Sequence, residues 1–343
     1  MNNREVYVRN AWYVAALSSE IGRSLSEKWL LDEPLVLYRT EDGKAVALTN
    51  RCSHRRFPLS RSRLEGDRIV CAYHGFTFDA GGACVAIPAV EGPVSDRASI
   101  RAYPIAERTG WVWVWTGNPA LADESLIPDT AWLGDASRVN ITGTFEVSAR
   151  HELMVENLLD LTHLSFVHPT SIGNSYFAKA PITTEIDGMV VKIKRMMEGV
   201  DLPPFHARTM GLENPVNRWN ETEFIAPAFV KVHVGAASCG APGVARQNTV
   251  FNAITPRTRT THTYYWGVSF NYPIDHGHAL ESVTRVLTED VEAIEAQELM
   301  VASDRDGAFE YSAATDAGVM RTRRIREDLI RKEMDGAVAP AAR

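Results

Sequence analysis

The sequence of 343 residues is poor in cysteine, with only Cys52, Cys71, Cys84 and Cys239, too few for a disulfide scaffold at this length. No run of about 18 apolar residues occurs, so no transmembrane helix is expected, and the first residues lack a secretory signal pattern. Basic charge is not in excess either, because 36 Lys and Arg stand against 43 Asp and Glu. The net charge of −7 therefore suggests neither a nucleic-acid nor a membrane partner. We expect a cytoplasmic protein whose cysteines bind metal or pack in a core.

The hydrophobic pattern suggests two domains joined by a linker, in an α+β protein. Residues 1–120 are rich in expected strands, including a hairpin over 35–50 that turns at Asp42-Gly43. Residues 121–139 hold a proline and several aspartates, which is typical of a linker. The remainder, 140–343, mixes expected strands with helices.

Individual strands and helices are also predicted on either side of that linker. A second strand pair should bracket Gly81-Gly82, and the segment 110–117 alternates as a strand does. The segments FVKVHVG and TYYWGVSF predict strands in the second domain. Helices are predicted over about 148–167 and 279–303.

Two short cysteine–histidine motifs lie in the first domain. Cys52 and His54 form C-x-H, and Cys71 and His74 form C-x-x-H after sixteen intervening residues. Tetrahedral zinc accepts two Cys and two His, and so does an iron–sulfur cluster that binds two Cys on one iron and two His on the other. Two like loops, each with one Cys and one His, favour the cluster, and Gly75 suits a loop whose backbone approaches it closely. Cys84 and Cys239 lack such neighbours, and we expect them to pack.

The segment around the first expected helix of the second domain carries polar residues in an otherwise apolar context. Asn157, Asp160 and His163 follow one another at spacings of three, which places them along one side of a helix, and His168 follows. A buried Asp and two His are costly unless they are paired or bind a metal. The alternatives are an iron-binding histidine pair with a supporting carboxylate, or core histidines satisfied by hydrogen bonds.

A metal site of two histidines and one carboxylate needs an acid from elsewhere. The helix over 279–303 has one apolar stripe at helical spacing. Its members are Leu280, Val283, Leu287, Val291, Ile294 and Val301. Asp290 falls within the stripe, which makes it the expected third ligand, whereas the glutamates outside it can stay solvated. These are Glu289, Glu292 and Glu295. Spacing alone leaves Glu156, on the preceding helix, as an alternative.

These segments resemble the Rieske non-haem iron aromatic oxygenases, specifically the vanillate O-demethylase oxygenase group, which also contains dicamba O-demethylase and toluenesulfonate methyl-monooxygenase. The likeness covers nearly the whole chain. It is carried by VRNAWYVAAL, CSHRRFPLS, CAYHGFTFD, ENLLDLTHLSFVHPTSIG, APAFVKVHVGAAS, AITPRT and TEDVEAIEAQE. The fold it implies is an all-β Rieske domain over 1–120, a linker over 121–139, and a helix-grip-like catalytic domain over 140–343. The implied assembly is a ring-shaped homotrimer.

The resemblance also implies roles for individual residues. The ligands of a [2Fe–2S] cluster match Cys52, His54, Cys71 and His74. The ligands of a mononuclear Fe(II) match His163, His168 and Asp290. Asp160 matches an aspartate that links the Rieske histidine of one subunit to an iron-binding histidine of the next, and Asn157 matches an asparagine close to the iron. Electrons would then cross a subunit boundary near His74, Asp160 and His163.

The expected substrate contacts depart from the family pattern. In the dicamba enzyme a histidine before an I/L-T-P segment helps to hold a carboxylate, and Asn252 stands in that place here. This difference argues against a carboxylated substrate. Lys231 and His233 share one face of an expected strand, where they either supply polar contacts to the substrate or face solvent.

The function implied by the resemblance is that of a terminal oxygenase acting on a small aromatic substrate. A separate reductase or ferredoxin, using NAD(P)H, would supply electrons, because the sequence shows no dinucleotide-binding fingerprint. With O2, the enzyme would hydroxylate a methyl or alkyl C–H bond, and release of formaldehyde from a methyl ether is the first expectation. The alternatives are N-dealkylation of an arylamide and hydroxylation of an aryl methyl group. The demethylase-like resemblance argues against ring dihydroxylation, and the remaining alternative is a non-catalytic zinc-binding module.

Overall fold

A computed structural model of the chain describes residues 7–88, 90–241, 243–304 and 310–336. The chain divides into two compact units. The first runs to Ile127 and also includes Thr255–Arg259, and the second contains Pro128–Ile254 and the chain from Thr260 onward. No helix of these described ranges is both long and apolar enough to cross a membrane.

The first unit is built of antiparallel strands. They are β1 (Trp12–Leu17), β2 (Ser26–Leu30), β3 (Glu33–Arg39), β4 (Ala45–Thr49), β5 (Arg63–Glu65), β6 (Arg68–Val70), β7 (Thr77–Phe78), β8 (Cys84–Ala86), β9 (Ile105–Arg108) and β10 (Trp111–Trp115). Three sheets result, with the orders β1-β10-β9, β2-β3-β4 and β5-β6-β7-β8. The all-β expectation for this part of the chain is thereby confirmed.

The hairpin and glycine turns of this unit confirm the sequence pattern. β3 pairs with β4, and Gly43 in the turn between them has a φ of +86°. Strands β7 and β8 bracket Gly81-Gly82 as expected. Gly82 has a φ of +83°, and a Cβ atom there would lie 2.3 Å from the carbonyl oxygen of Ile100, so only glycine fits this turn. Every residue of β10 is buried, so both faces of this strand belong to the core.

The second unit combines one large sheet with helices. Its strands are β11 (Val139–Val147), β12 (Ile182–Asp187), β13 (Val190–Val200), β14 (Val216–Ile225), β15 (Phe229–Ser238), β16 (Ala245–Thr258, in this unit as far as Ile254) and β17 (Thr261–Phe270). Its helices are α1 (His151–Leu159), α2 (Leu164–Val167), α3 (Pro204–Thr209), α4 (His276–Ser303) and α5 (Ala317–Met334). The sheet order is β11-β17-β16-β15-β14-β13-β12, and α4 contacts both α1 and β11. The α+β fold class is confirmed.

The buried face of β14 is unusually polar. Its inward positions alternate strictly along the strand and include Arg218, Asn220 and Thr222, all with 1% or less of their surface exposed. A buried sheet face is normally apolar, because an unpaired polar group is costly to bury. These side chains therefore need partners or a ligand.

The helix expected over 148–167 is broken in the structure, so that expectation is wrong. α1 ends at Leu159, and α2 begins only at Leu164. The Asp160 carboxylate accepts a hydrogen bond from the Thr162 N–H at 2.8 Å, a local turn that competes with helix formation. Arg195 of β13 donates to the Thr162 hydroxyl at 2.6 Å and stabilises the break. His163 therefore lies after a turn and does not continue the helical line from Asn157.

The expected helix over 279–303 is confirmed as α4, which begins three residues earlier. The Asp275 side chain caps it by accepting a hydrogen bond from the His278 N–H at 2.7 Å. Asp290 is buried on the inner side of α4, with 4% of its surface exposed. Leu280, the first member of the expected stripe, lies outside the core with 37% exposed.

Candidate metal centres and substrate cavity

The two cysteine–histidine loops of the first unit have the same backbone geometry. In each loop the cysteine N–H donates to the carbonyl five residues later, and the cysteine carbonyl accepts from the N–H four residues later. The bonds are Cys52 N to Phe57 O and Arg56 N to Cys52 O at 2.9 Å, Cys71 N to Phe76 O at 2.8 Å, and Gly75 N to Cys71 O at 2.9 Å. The fourth residue has positive φ in both loops, 57° at Arg56 and 72° at Gly75. A Cβ at Gly75 would lie 2.7 Å from the Pro88 ring, which explains the glycine there.

The four side chains of these loops form a thiol pair and an imidazole pair. Cys52 and Cys71 are 2% and 1% exposed, and burial together with the neighbouring Cys71 thiol raises the pKa of Cys52 to about 11. The rings of His54 and His74 are exposed, with centroids 4.5 Å apart. A cluster that binds two thiolates on one iron and two imidazoles on the other needs this separation into pairs. These four residues could therefore hold a [2Fe–2S] cluster.

A second candidate centre joins α2 and α4 in the second unit. The Nε2 atoms of His163 and His168 lie 3.3 and 3.0 Å from the same Asp290 oxygen, Oδ1. One potential ligand atom from each of these residues lies within 4.8 Å of the others. His168 is 1% exposed and Asp290 4% exposed. Two imidazoles and one carboxylate form the donor set that binds Fe(II) while leaving coordination positions open.

The other ring nitrogens of the two histidines are already occupied. His163 Nδ1 donates to the backbone carbonyl of Asp160, and His168 Nδ1 donates to Glu289 Oε2 at 2.5 Å. The Ser171 hydroxyl donates to the same Glu289 oxygen at 3.1 Å. Both Nδ1 atoms are thereby protonated, which leaves both Nε2 lone pairs for a metal. The expectation that Glu289 is solvated is wrong, because this side chain orients His168.

Charge in this centre also suits a cation. Burial opposes ionisation of Asp290, but hydrogen bonds from His163 and His168 lower its pKa to about 2. Burial lowers the pKa of His168, yet its contacts with Asp290 and Glu289 raise it overall. Asp290 is thus an anion at neutral pH. A metal ion would take the place of the protons between the Nε2 atoms and this carboxylate.

Three other acidic or amide residues, on α1 and in the turn that follows it, make different contacts. Asn157 Nδ2 donates to Asp290 Oδ1 at 3.1 Å, so this amide lies directly against the centre. Glu156 instead binds the Arg323 guanidinium of α5 through two hydrogen bonds of 2.5 and 2.6 Å, which excludes it as the third ligand. The Asp160 side chain is half-buried, and its backbone carbonyl, rather than its carboxylate, contacts His163.

Glu289→Ala is expected to weaken iron binding by about 10- to 100-fold, the usual cost of losing an outer partner of a metal-binding histidine. His168 would lose the acceptor that fixes its tautomer and ring orientation. The iron retained after dialysis against a chelator, measured by atomic emission, checks this. Glu289→Gln keeps an acceptor oxygen and should retain most of the iron, and Glu292→Ala changes an exposed glutamate of the same helix. Equal iron retention in Glu289→Ala and Glu292→Ala would contradict this role.

A cavity lies beside this centre, and His163, His168 and Asp290 are among its lining residues. Its walls come mainly from β14–β17, α3 and α4 and are largely apolar, with Val232, Val234, Val250, Val268, Phe270, Val283, Val286 and Leu287 among them. The polar side chains that line it are His163, His168, His206, Arg218, Asn220, Asn248, Asn252, Ser282 and Asp290. An apolar cavity with a few polar groups beside a metal centre is the usual form of a small-molecule site.

The substrate contacts expected from the sequence are partly corrected. β15 presents Val232 and Val234 to the cavity, so Lys231 and His233 lie on the other face of the strand and cannot contact a molecule there. His233 Nδ1 instead lies 2.9 Å from the Thr249 hydroxyl. Asn252 does line the cavity. Its amide donates to the Val230 carbonyl and its oxygen accepts from the Tyr264 hydroxyl at 2.6 Å, so these bonds fix its orientation.

The sequence reasoning missed Arg218, Asn220 and Asn248. The signal available was the alternation in VNRWNETEFI, where Arg218 and Asn220 share a face with Val216 and Phe224. If this segment is a strand whose inner face is apolar, the pattern places the charge of Arg218 in the core. A charge in that position indicates a cavity beside it.

Both units match known protein families. Residues 11–104 match the model of the Rieske [2Fe-2S] domain, and residues 147–332 match that of the vanillate O-demethylase oxygenase C-terminal domain. The iron-sulfur subunit of the toluene-4-sulfonate monooxygenase system of Comamonas testosteroni is 34% identical over 98% of this chain and 100% of its own length. The dicamba O-demethylase oxygenase component of Stenotrophomonas maltophilia is 32% identical over 94% of this chain and 98% of its own.

A solved structure shows the same architecture. Dicamba monooxygenase bound to 3,6-dichlorosalicylic acid superposes with a TM-score of 0.89 at 29% identity, over 96% of this chain and 99% of that one. Dicamba monooxygenase has also been solved with non-haem iron. The chain thus combines a Rieske [2Fe–2S] domain with a catalytic domain whose His/Asp centre suits a mononuclear iron. It belongs to the Rieske non-haem iron oxygenases of the vanillate O-demethylase oxygenase group, the terminal oxygenase components of multicomponent monooxygenases.

Proposed function

We propose that this oxygenase hydroxylates the methyl group of a methoxyarene and so releases formaldehyde. The observation that carries the proposal is the position of the His163, His168 and Asp290 centre at the wall of an apolar cavity. These three residues would hold an iron, which would supply activation of O2 next to the substrate. Relatives named vanillate O-demethylase and dicamba O-demethylase match almost the whole chain.

The reaction balances with electrons from outside the chain. One O2, two electrons and two protons convert the methoxyarene into a hemiacetal and one water. The hemiacetal then breaks its C–O bond to the methyl carbon and yields a phenol and formaldehyde. We propose that NAD(P)H supplies the electron pair through a separate reductase or ferredoxin in the cytoplasm.

The cavity residues position the substrate and exclude water. Valine, leucine and phenylalanine side chains from the sheet and α4 hold the arene by burying its apolar surface. Asn157 donates to Asp290 and holds this carboxylate in place. Asn252 has a fixed amide and presents a polar edge to the cavity.

For the cluster, we propose Cys52, His54, Cys71 and His74 as ligands, and a homotrimer in which electrons pass between subunits. Support comes from the exposed rings of His54 and His74, which leave the histidine edge of the cluster open to another molecule. Asp160 is half-buried, and its carbonyl contacts His163. The proposed path therefore runs from His74 of one subunit through Asp160 to His163 of the next.

Purified protein should be red-brown, with visible absorption bleached by dithionite, and should contain iron in both centres. With a compatible reductase and NAD(P)H, a panel of methoxyarenes should give one formaldehyde for each NAD(P)H consumed. N-alkyl arylamides and methylarenes in the same panel test the two alternative reactions, since they would yield dealkylated amines or benzylic alcohols. A colourless protein with stoichiometric zinc would refute the proposal.

A further inference from the structure

Arg218 is a buried cation in the cavity, and none of the described acidic residues pairs with it. Its side chain is 1% exposed, and within the described part of the chain its Nε and Nη1 atoms have no hydrogen-bond partner. Only Nη2 is engaged, donating to the backbone carbonyl of Ile172 at 3.2 Å. An arginine buried this way normally faces a carboxylate or phosphate, because an uncompensated charge is expensive to desolvate.

The neighbouring groups do not neutralise this charge. His206 Nδ1 lies 3.5 Å from Nη2, where it can only accept, and burial together with Arg218 holds the pKa of His206 well below its usual value. His206 is therefore neutral. The ring of Phe177 lies 4.4 Å from the guanidinium carbon and offers only its weak quadrupole. Burial lowers the pKa of Arg218 to about 9, so the group still carries its charge at neutral pH.

The surroundings of Arg218 form a polar zone in an otherwise apolar cavity. Asn220 lies two residues along the same strand and pairs with Val234, which pairs in turn with Asn248 of β16. Ser282 of α4 adds a hydroxyl to the lining. Each of these three side chains has a buried oxygen without a partner among the described residues. The residue opposite Arg218 on β15 is Ala236, which has a small side chain.

We propose that Arg218 binds an anionic substituent of the substrate, so that the enzyme acts on arenes carrying a carboxylate or a sulfonate. This inference rests on the proposed function for the reaction and adds the charge of the substrate. The unpaired N–H groups at Nε and Nη1 match the oxygens of either anion. The expectation that argued against a carboxylated substrate considered only Asn252, whereas Arg218 supplies the missing positive charge from another strand.

The position of the guanidinium gives the anion an orienting role. Its bond to the Ile172 carbonyl ties it to the segment that follows the candidate iron ligand His168 by four residues. An arene held there by its anionic group would be fixed in the cavity, and its methoxy carbon could face the centre in one orientation only. Arg218 is thus proposed to determine both substrate choice and the position of attack.

Binding of matched ligand pairs tests this proposal without turnover. The pairs are 4-methoxybenzoate with 4-methoxybenzamide, and 4-methoxybenzenesulfonate with 4-methoxybenzenesulfonamide, titrated calorimetrically into the holoenzyme. The wild type should bind at least one anion more tightly than its neutral partner. Arg218→Met should weaken binding of that anion by about 10- to 100-fold, the effect of losing a charge-assisted hydrogen bond, and change the neutral ligand much less. Arg218→Lys, which keeps the charge, should restore part of the difference.

A control comes from an exposed arginine of α3. Arg208 carries the same charge but does not line the cavity. Arg208→Met should leave the ratio of anion to neutral binding unchanged. The proposal is overturned if the wild type prefers neither anion, or if Arg218→Met weakens both members of a pair equally. Arg218-dependent anion binding without any formaldehyde or hydroxylated product would refute the proposed reaction and leave the anion site standing.

Discussion

Asp290→Ala should abolish turnover and remove the catalytic iron while the cluster keeps its colour. Asp290 supplies the carboxylate oxygen that both candidate imidazoles face, at 3.0 and 3.3 Å. Without it, two neutral imidazoles remain for a dication. Iron affinity should therefore fall by more than the roughly 10- to 100-fold that loss of an outer partner costs. Iron content after desalting, with the visible spectrum of the same sample, checks both parts.

The Asp290→Ala protein should still fold, with a measurable loss of stability. Removing the carboxylate leaves the half-buried Asn157 amide without its acceptor, which costs about 1 kcal/mol of unfolding free energy. Glu292→Ala on the exposed side of the same helix is the matched control and should retain iron and activity. An Asp290→Ala protein that still held one mononuclear iron per chain and turned over would show that the third ligand lies elsewhere.

The candidate metal-binding residues could be proposed from the sequence because their signals are local. Cys52 and Cys71 each have a histidine within three residues, and Asp290 interrupts an apolar stripe whose period is that of a helix. Residues that act through tertiary contacts escaped this reasoning. Glu289 lies beside the stripe and looked solvated, yet it meets His168, which is 121 positions away in sequence. No helical spacing reveals such a contact.

The fold class was predictable from the sequence. The errors concerned where a helix is interrupted and which face of a strand meets the cavity. The helix over 148–167 has continuous apolar spacing, but the Asp160 side chain and the distant Arg195 stabilise a turn within it. Lys231 and His233 were assigned to one strand face correctly, but which face meets the cavity depends on how β15 packs in the sheet. Arg218 was missed because its strand has a polar inner face, the opposite of the usual pattern.

Asp160→Asn is expected to leave both metals bound and to slow electron transfer between cluster and iron by about 10- to 100-fold. The amide oxygen of the substituted side chain can still accept the Thr162 N–H bond, so the turn and the carbonyl contact to His163 should persist. The change therefore removes mainly a negative charge from the proposed path between subunits. Stopped-flow mixing of the reduced protein with O2 and a turned-over methoxyarene, followed by reoxidation of the cluster absorption, measures the rate.

The charge of the Asp160 carboxylate also acts on Arg195. Burial lowers the pKa of Arg195 and the Asp160 carboxylate opposes that lowering, so loss of the carboxylate could disturb the turn before His163. Iron content and thermal stability equal to the wild type separate the two effects, because a disturbed turn would release iron. Asp201→Asn, which changes an exposed acid of the same unit, should reoxidise at the wild-type rate. If Asp160→Asn keeps its iron and also reoxidises at that rate, the carboxylate is not part of the electron path.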